Sequence, residues 1–337
     1  MTDIYRKQID HPSAWTGKSL GGKEALARRL NAAQLDAIDD LLAKSRHLKL
    51  QEVTRQDFTH PALDPFLAEI YEVLQHGRGI VLIQGVTPDR YSEEDFQRIY
   101  WGFGTHWGEA VVQNKWGDRL GHVRQEKDNP NGRGYIGNQE LSAHSDPYPL
   151  IGLMCIGRAE TGGESHLVSG LALHNEMLKT RPDLLEPLYR GHVYTAPDAQ
   201  RMAKPVTDYE IPVFSVTEGV LSSLYLRSSM DRATVALGTS LPADLQEALD
   251  HLDALAARED IRIAFTLEPG DMLLVNNYTA LHAREPFENS ERNTRHLLRL
   301  WLKVPEGRPV HPALARYSAT YEQMYRDQMA AERAKAH

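Results

Sequence analysis

The sequence predicts a mainly β protein, a sandwich or jelly roll with flanking helices. Two observations carry the prediction. From about residue 110 onward, short runs of β-formers alternate with Gly, Pro, Asn and Asp turns, the texture of an all-β layer rather than of a doubly wound sheet. Only two stretches interrupt it with helical periodicity, near residues 170–190 and 242–259.

Element by element, the chain opens helical. "NAAQLDAIDDLLAK" sets Leu35, Ile38, Leu41 and Leu42 on one stripe with acids opposite, and "ALDPFLAEIYEVLQHG" repeats the pattern up to a stop at Gly77. "GIVLIQGV" reads as a short buried strand. Ser92 and Asp95 form a capping box that opens another helix. The β-rich runs follow: "GYIGNQ", "YPLIGLMCIG", "ESHLVSG", "IPVFSVTEG", "VLSSLYLR", "IRIAFTL", "DMLLVNNY" and "RHLLRLWLKV". The tail "YEQMYRDQMAAERAKAH" reads as a helix that frays.

Bulk properties limit the function. The 337 residues suffice for one large domain or two ordinary ones, and 41% hydrophobic with 25% charged residues is a globular composition. A net charge of −8 argues against nucleic acid or an anionic membrane surface as partner. No apolar run reaches the length of a membrane span, and the N-terminal "MTDIYRKQIDHPSAW" lacks the apolar core of a signal peptide. Cys155 is the only cysteine, which excludes an internal disulfide and fits a reducing cytoplasm; its apolar run "LIGLMCIG" makes it a buried core thiol.

Three places pair a histidine with an acid two residues on: His144/Asp146, His174/Glu176 and His251/Asp253. The spacing alone proves little. Residues two apart share a side in a strand but do not face each other on a helix. The latter two pairs fall in the helical inserts and read as surface residues. His144 and Asp146 lie in an extended stretch, "ELSAHSDPYP", and are the pair placed to chelate. His282 is the candidate third ligand. Counting back by twos along "MLLVNNYTALH" gives Ala280, Tyr278, Asn276 and Leu274, a strand face that turns polar toward the histidine. Next, "RHLLRLWLK" alternates, with His296, Leu298, Leu300 and Leu302 on one face and Arg295, Leu297, Arg299 and Trp301 on the other. Inward arginines need anionic partners. Those are either carboxylates of the protein itself or a carboxylate ligand held in a bidentate clamp.

His-x-Asp, a distant His and an Arg about a dozen residues further on together resemble the taurine dioxygenase-like (TauD/TfdA) family of non-haem iron(II)- and 2-oxoglutarate-dependent oxygenases. "SAHSDPYP", "TGGESHLVSG", "EPGDMLLVNNYTALHAR" and "RHLLRLWL" match that family's segments in order. The resemblance implies a double-stranded β-helix (jelly-roll, cupin-like, clavaminate synthase-like) core in one domain over 1–337. It implies a helical N-terminal extension over 1–76, a core over about 77–305 and a C-terminal tail over 306–337. It implies Fe(II) on His144, Asp146 and His282, with 2-oxoglutarate and O2 as co-substrates. Arg295 and Ser165 would hold the distal carboxylate of 2-oxoglutarate, and Arg299 either that co-substrate or an acidic group of the substrate. Ser165 stands where the family often has Thr. The aspartate at the carboxylate position disfavours halogenation.

The expected reaction converts 2-oxoglutarate to succinate and CO2 while oxidising, most simply hydroxylating, a small organic substrate. Candidate substrate residues are Tyr135, Asn138, Ser142 and Tyr148, with Gln113 and Asn114 on a lid loop. Arg227 either binds an anion or pairs with an acid. Desaturation, epoxidation and cyclisation would use the same triad. Two other readings compete: a cupin-like metal-dependent isomerase or hydrolase on the same barrel, and a non-catalytic carboxylate-binding protein. The residues leave open whether the chain forms a homo-oligomer.

Overall fold

The computed structural model describes residues 4–126, 136–195, 205–305 and 307–335. Two one-turn helices, α1 (Gly17–Leu20) and α2 (Lys23–Leu26), precede a short strand β1 (Ala27–Arg29), then α3 (Ala32–Ser45) and α4 (Asp64–Gln75). β2 (Ile80–Gln84) and α5 (Glu93–Trp107) follow, and Ser92 and Asp95 cap α5 reciprocally as the sequence predicts. Next come β3 (Glu109–Ala110), β4 (Gly121–Arg124), β5 (Leu141–His144), β6 (Leu150–Gly157), β7 (Thr161–Gly162) and β8 (Ser165–Ser169). The first insert is α6 (Gly170–Thr180) with α7 (Leu185–Arg190). The hairpin β9 (Phe214–Thr217) and β10 (Val220–Ser223) leads to α8 (Arg227–Leu237) and α9 (Ala243–Ala256). β11 (Ile263–Phe265), β12 (Met272–Asn276), β13 (Ala280–Arg284), β14 (Phe287–Glu288) and β15 (His296–Lys303) close the core before α10 (Pro312–Lys335).

The core is a double-stranded β-helix of two facing sheets. The larger runs β1-β2-β12-β6-β15-β3 with β4 also on β15; the smaller runs β11-β8-β13-β5. Strand alternation sorts the side chains. Ile80, Leu82, Ile151, Leu273, Leu297 and Trp301 point between the sheets, while Val81, Ile83, Met154, Leu274, Leu298 and Leu300 point outward to a second core. α3, α4 and α5 cover that outer face with Ile38, Leu67, Ile70 and Phe103. The N-terminal segment is not purely helical, because β1 extends the larger sheet in parallel with β2. Among the described residues no helix is long and apolar enough to cross a membrane.

Three sequence expectations need correction. "GYIGNQ" forms no strand over its described residues 136–139. "MLLVNNYTALH" is not one strand. β12 belongs to the larger sheet and β13 to the smaller, and a buried turn at Asn277–Thr279 carries the chain across. Counting by twos through that turn has no meaning. His174 is not on the surface. It is fully buried, its Nε2 2.9 Å from the Tyr189 hydroxyl and its ring edge-on to Phe214, and burial pushes its pKa down to about 4. The C-terminal stretch is helical as expected, within α10. Leu314, Tyr317, Tyr321, Met324 and Tyr325 form a buried stripe that joins the inner core.

Candidate metal centre

The two histidines meet because of strand register. His144 ends β5 and His282 sits in β13, and the antiparallel pairing sets them directly opposite each other. Their rings lie 4.3 Å apart between centroids, tilted by 49°. Asp146 follows two residues after the strand, where its amide N–H donates to Asn277 Oδ1 at 3.0 Å. Asn277 also donates from Nδ2 to the carbonyl of Tyr148 at 2.8 Å, so one buried amide moulds the whole 146–148 turn. Asp146 Oδ2 lies 3.7 Å from His282 Nε2, and one ligand atom from each of the three residues falls within 4.8 Å of the others.

The protonation states suit a divalent cation. His144 Nδ1 is 2.7 Å from the carbonyl of Ser142, so it carries the proton and Nε2 keeps its lone pair. Burial, and then the neighbouring His144, push the pKa of His282 down to about 3, so its ring is neutral. Burial alone would raise the Asp146 carboxyl. His282, Arg299, His144 and the Trp301 indole together outweigh that and hold it below its ordinary value. Two neutral imidazoles and one carboxylate on one side of a site are the donor set of a facial iron(II) centre with open positions.

The cavity at this centre has apolar walls, including Val123, Leu141, Ile151, Leu153 and Leu273, and three arginines. Arg295 is buried over the Phe287 ring, 5.3 Å from its centroid, and its Nη1 has no hydrogen-bond partner among the described residues. Burial first, and Arg284 second, bring its pKa down to about 10. Ser165 begins β8 and lines the same space. The preceding glycines are required by geometry. Gly163 has φ +76°, and a Cβ there would stand 3.1 Å from Cδ and Nε of Arg295. Arg299 donates from Nε to Gln113 Oε1 at 2.7 Å and lies 4.0 Å over the Trp301 ring.

Three contributors escape the sequence reading. Arg284 lines the cavity two residues after His282, on the same side of the same strand, and donates from Nη2 to the carbonyls of Gly137 and Gln139. The period-two rule applied forward from His282 would have found it. Trp301 donates its indole N–H to Asp146 Oδ2 at 2.7 Å. Its place on the Arg299 face of β15 is the available signal. Asn277, in the turn, had none.

Several predicted substrate residues are placed elsewhere. Tyr148 is fully buried with its ring 5.5 Å from that of Trp301, and it does not line the cavity. Gln113 is buried beneath Arg299, donating to the carbonyls of Arg119 and Arg299, rather than riding on a lid; Asn114 caps its own turn through the Trp116 and Asp118 amides. Arg227 pairs with Asp250 at 2.6 Å and Asp253 at 2.7 Å, the structural alternative. Asn138 donates to the carbonyl of Phe287 at 3.3 Å, and Ser142 is exposed and contributes its carbonyl to His144. Tyr135 lies outside the described residues. A second cluster, Glu164, His166 and Glu285, is unsuited to a metal. Arg262 Nη1 donates to His166 Nδ1 at 3.0 Å, which leaves the proton on Nε2, 3.2 Å from Glu285.

The family model of the taurine catabolism dioxygenase TauD, TfdA family matches residues 44–301. FR-33289 synthase of Streptomyces rubellomurinus is 30% identical over 319 residues, covering 92% of this chain and 91% of its own length. A solved structure of asparagine oxygenase with Fe(II), 3-hydroxyasparagine and succinate matches with a TM-score of 0.64 at 13% identity, over 82% of this chain and 93% of that one. The non-heme iron oxygenase OrfP with Fe and alpha-ketoglutaric acid matches at 0.62 and 16% identity, over 82% and 94%. At these identities the two structures speak for the fold.

Proposed function

The chain belongs to the taurine catabolism dioxygenase TauD/TfdA family, and from that premise we propose how its own residues divide the work of an iron(II)- and 2-oxoglutarate-dependent oxygenase. As a member it is an oxidoreductase that takes Fe(II), 2-oxoglutarate and O2, releasing succinate and CO2 as it oxidises a small molecule. His144, Asp146 and His282 are the proposed iron ligands. The observation that carries this is the convergence of their ligand atoms within 4.8 Å in a cavity that also holds a buried guanidinium. When bound, the iron supplies the oxygen-activating chemistry.

Everything else falls to the chain. The carbonyl of Ser142 holds His144 in the tautomer that offers Nε2. Arg295, with a donor aimed at no protein acceptor among the described residues, takes the distal carboxylate of 2-oxoglutarate, and Ser165 adds its hydroxyl. Apolar walls keep water from the reacting carbon. The cavity favours an acidic substrate by its charge. Arg284, Arg295 and Arg299 give +3, Asp146 −1, iron(II) +2 and the 2-oxoglutarate dianion −2, a formal excess of +2. Hydroxylation is the outcome we assign. The cupin-like isomerase or hydrolase has no observation in its favour. We place the enzyme in the cytoplasm, on its single, buried, unpaired thiol.

The test is 2-oxoglutarate turnover, read as succinate release with Fe(II) present. It should be abolished in Asp146→Ala and His282→Ala. Undiminished turnover in either variant would refute the assignment of ligands.

A further inference from the structure

We propose that Trp301 is a positioning residue for the metal carboxylate: its indole N–H fixes the rotation of the Asp146 carboxylate toward the site between the two histidines. The proposal rests on the ligand assignment above. The chain has five tryptophans, and their indole partners differ. Trp15, Trp101 and Trp107 each donate to a backbone carbonyl at 3.0 Å, and Trp116 is 72% exposed. Trp301 donates to a carboxylate at 2.7 Å. A buried indole needs an acceptor, and a neutral one would suffice. A charge-assisted bond to a metal-ligand candidate is shorter and about twice as strong.

The bond also has a geometric consequence. The terminal torsion of an aspartate is broad, so packing alone leaves the tilt of the carboxylate plane loose. The indole pins that plane through Oδ2, which lies 3.7 Å from His282 Nε2. Trp301 itself cannot swing. Its backbone lies in β15 opposite Ile151, Tyr148 flanks its ring, and Tyr321 meets it edge-on at 6.4 Å.

A second layer strengthens the donor. The Arg299 guanidinium over the indole face draws electron density from the ring and polarises the N–H. Gln113 Oε1 holds Arg299 Nε in that position, and Gly121 leaves the space, since a Cβ there would stand 2.5 Å from Gln113 Oε1. A line of contacts therefore runs from Gly121 through Gln113, Arg299 and Trp301 to Asp146. Outer partners of metal ligands set affinity by about 10- to 100-fold.

The first experiment uses the unaltered protein. An indole 15N–1H spectrum is recorded before and after adding Zn(II), a diamagnetic stand-in for iron. One indole resonance, absent from Trp301→Phe, should move far more than the other four. If histidine resonances report bound Zn(II) and no indole moves, the proposal is overturned. If Zn(II) does not bind at all, the ligand assignment falls and the proposal with it. The second experiment measures Fe(II) affinity anaerobically. Trp301→Phe keeps a ring but deletes the N–H, and should bind iron at least about tenfold more weakly. Tyr321→Phe, which touches the same ring but not Asp146, should match the parent. Equal iron affinity in Trp301→Phe and parent would overturn the proposal.

Discussion

Replacing Arg295 by methionine should stabilise the empty protein while destroying its hold on 2-oxoglutarate. Arg295 is 6% exposed, and burial brings its pKa down to about 10 from the ordinary guanidinium range. That displacement is a penalty of about 3 kcal/mol on the charged form in the folded state. The penalty is present at all pH values below about 10 and fades only above it, so it is constant over the working range. The cation–π contact with Phe287 returns about 0.5–1 kcal/mol. Methionine has a similar length and needs no partner, so the apo-protein should gain about 2 kcal/mol, a rise of a few degrees in Tm. In the complex the same arginine meets a carboxylate away from water, and truncating one side of such a pair costs about 2–5 kcal/mol. The apparent affinity for 2-oxoglutarate should fall by about 30-fold or more. Thermal unfolding with and without 2-oxoglutarate reads both effects at once. A lower Tm in the empty variant, together with an unchanged shift on adding 2-oxoglutarate, would refute the reasoning, because Arg295 would then be bonded within the protein.

Three further perturbations follow from particular contacts. Gly163→Ala places a side chain at φ +76° and against Arg295, so it should lose about 1–3 kcal/mol of stability and raise the KM for 2-oxoglutarate; an unchanged KM would separate the glycine from the arginine. Asn277→Ala leaves the Asp146 amide and the Tyr148 carbonyl without their partner, costing about 1–3 kcal/mol; urea unfolding measures it, and iron affinity should fall in parallel. His174 has a folded pKa near 4 against 6.5, so acid protonates the unfolded chain first. Its share of stability is full above pH 6.5 and is lost as pH falls toward 4, by about 2 kcal/mol at pH 5. In His174→Met the difference in unfolding free energy between pH 7 and pH 5 should shrink by that amount, and a variant with the parent's pH dependence would contradict the assignment.

Legibility in the sequence followed the range of the interactions. β15 could be read because its period-two pattern is local: Leu298 and Leu300 pack under the helices and Leu297 and Trp301 between the sheets. The break between β12 and β13 could not, because it depends on Asn277 clamping a turn that arrives from residues 146–149, more than a hundred positions away. His174 reads as a surface residue by its chemistry, and its position in α6 says otherwise. It shares the buried side of α6 with Leu171 and Met177, three residues away in either direction, and helical spacing alone would have put it inside. Tyr148 flanks the metal motif in sequence and Gln113 reads as part of a lid loop, yet the tight turn after β5 and the bond to Arg299 turn them into supports. Arg227 shows the ordinary fate of a lone arginine beside an acidic helix face.

The central claim is that one cavity binds iron through His144, Asp146 and His282 and 2-oxoglutarate through Arg295. Anaerobic titration with Fe(II) and then 2-oxoglutarate tests it most directly, through the weak visible charge-transfer band of a chelated 2-oxo acid. The band should form in the parent, vanish in His144→Ala, and require far more 2-oxoglutarate in Arg295→Ala. Iron binding without a band, or a band indifferent to His144, would contradict it.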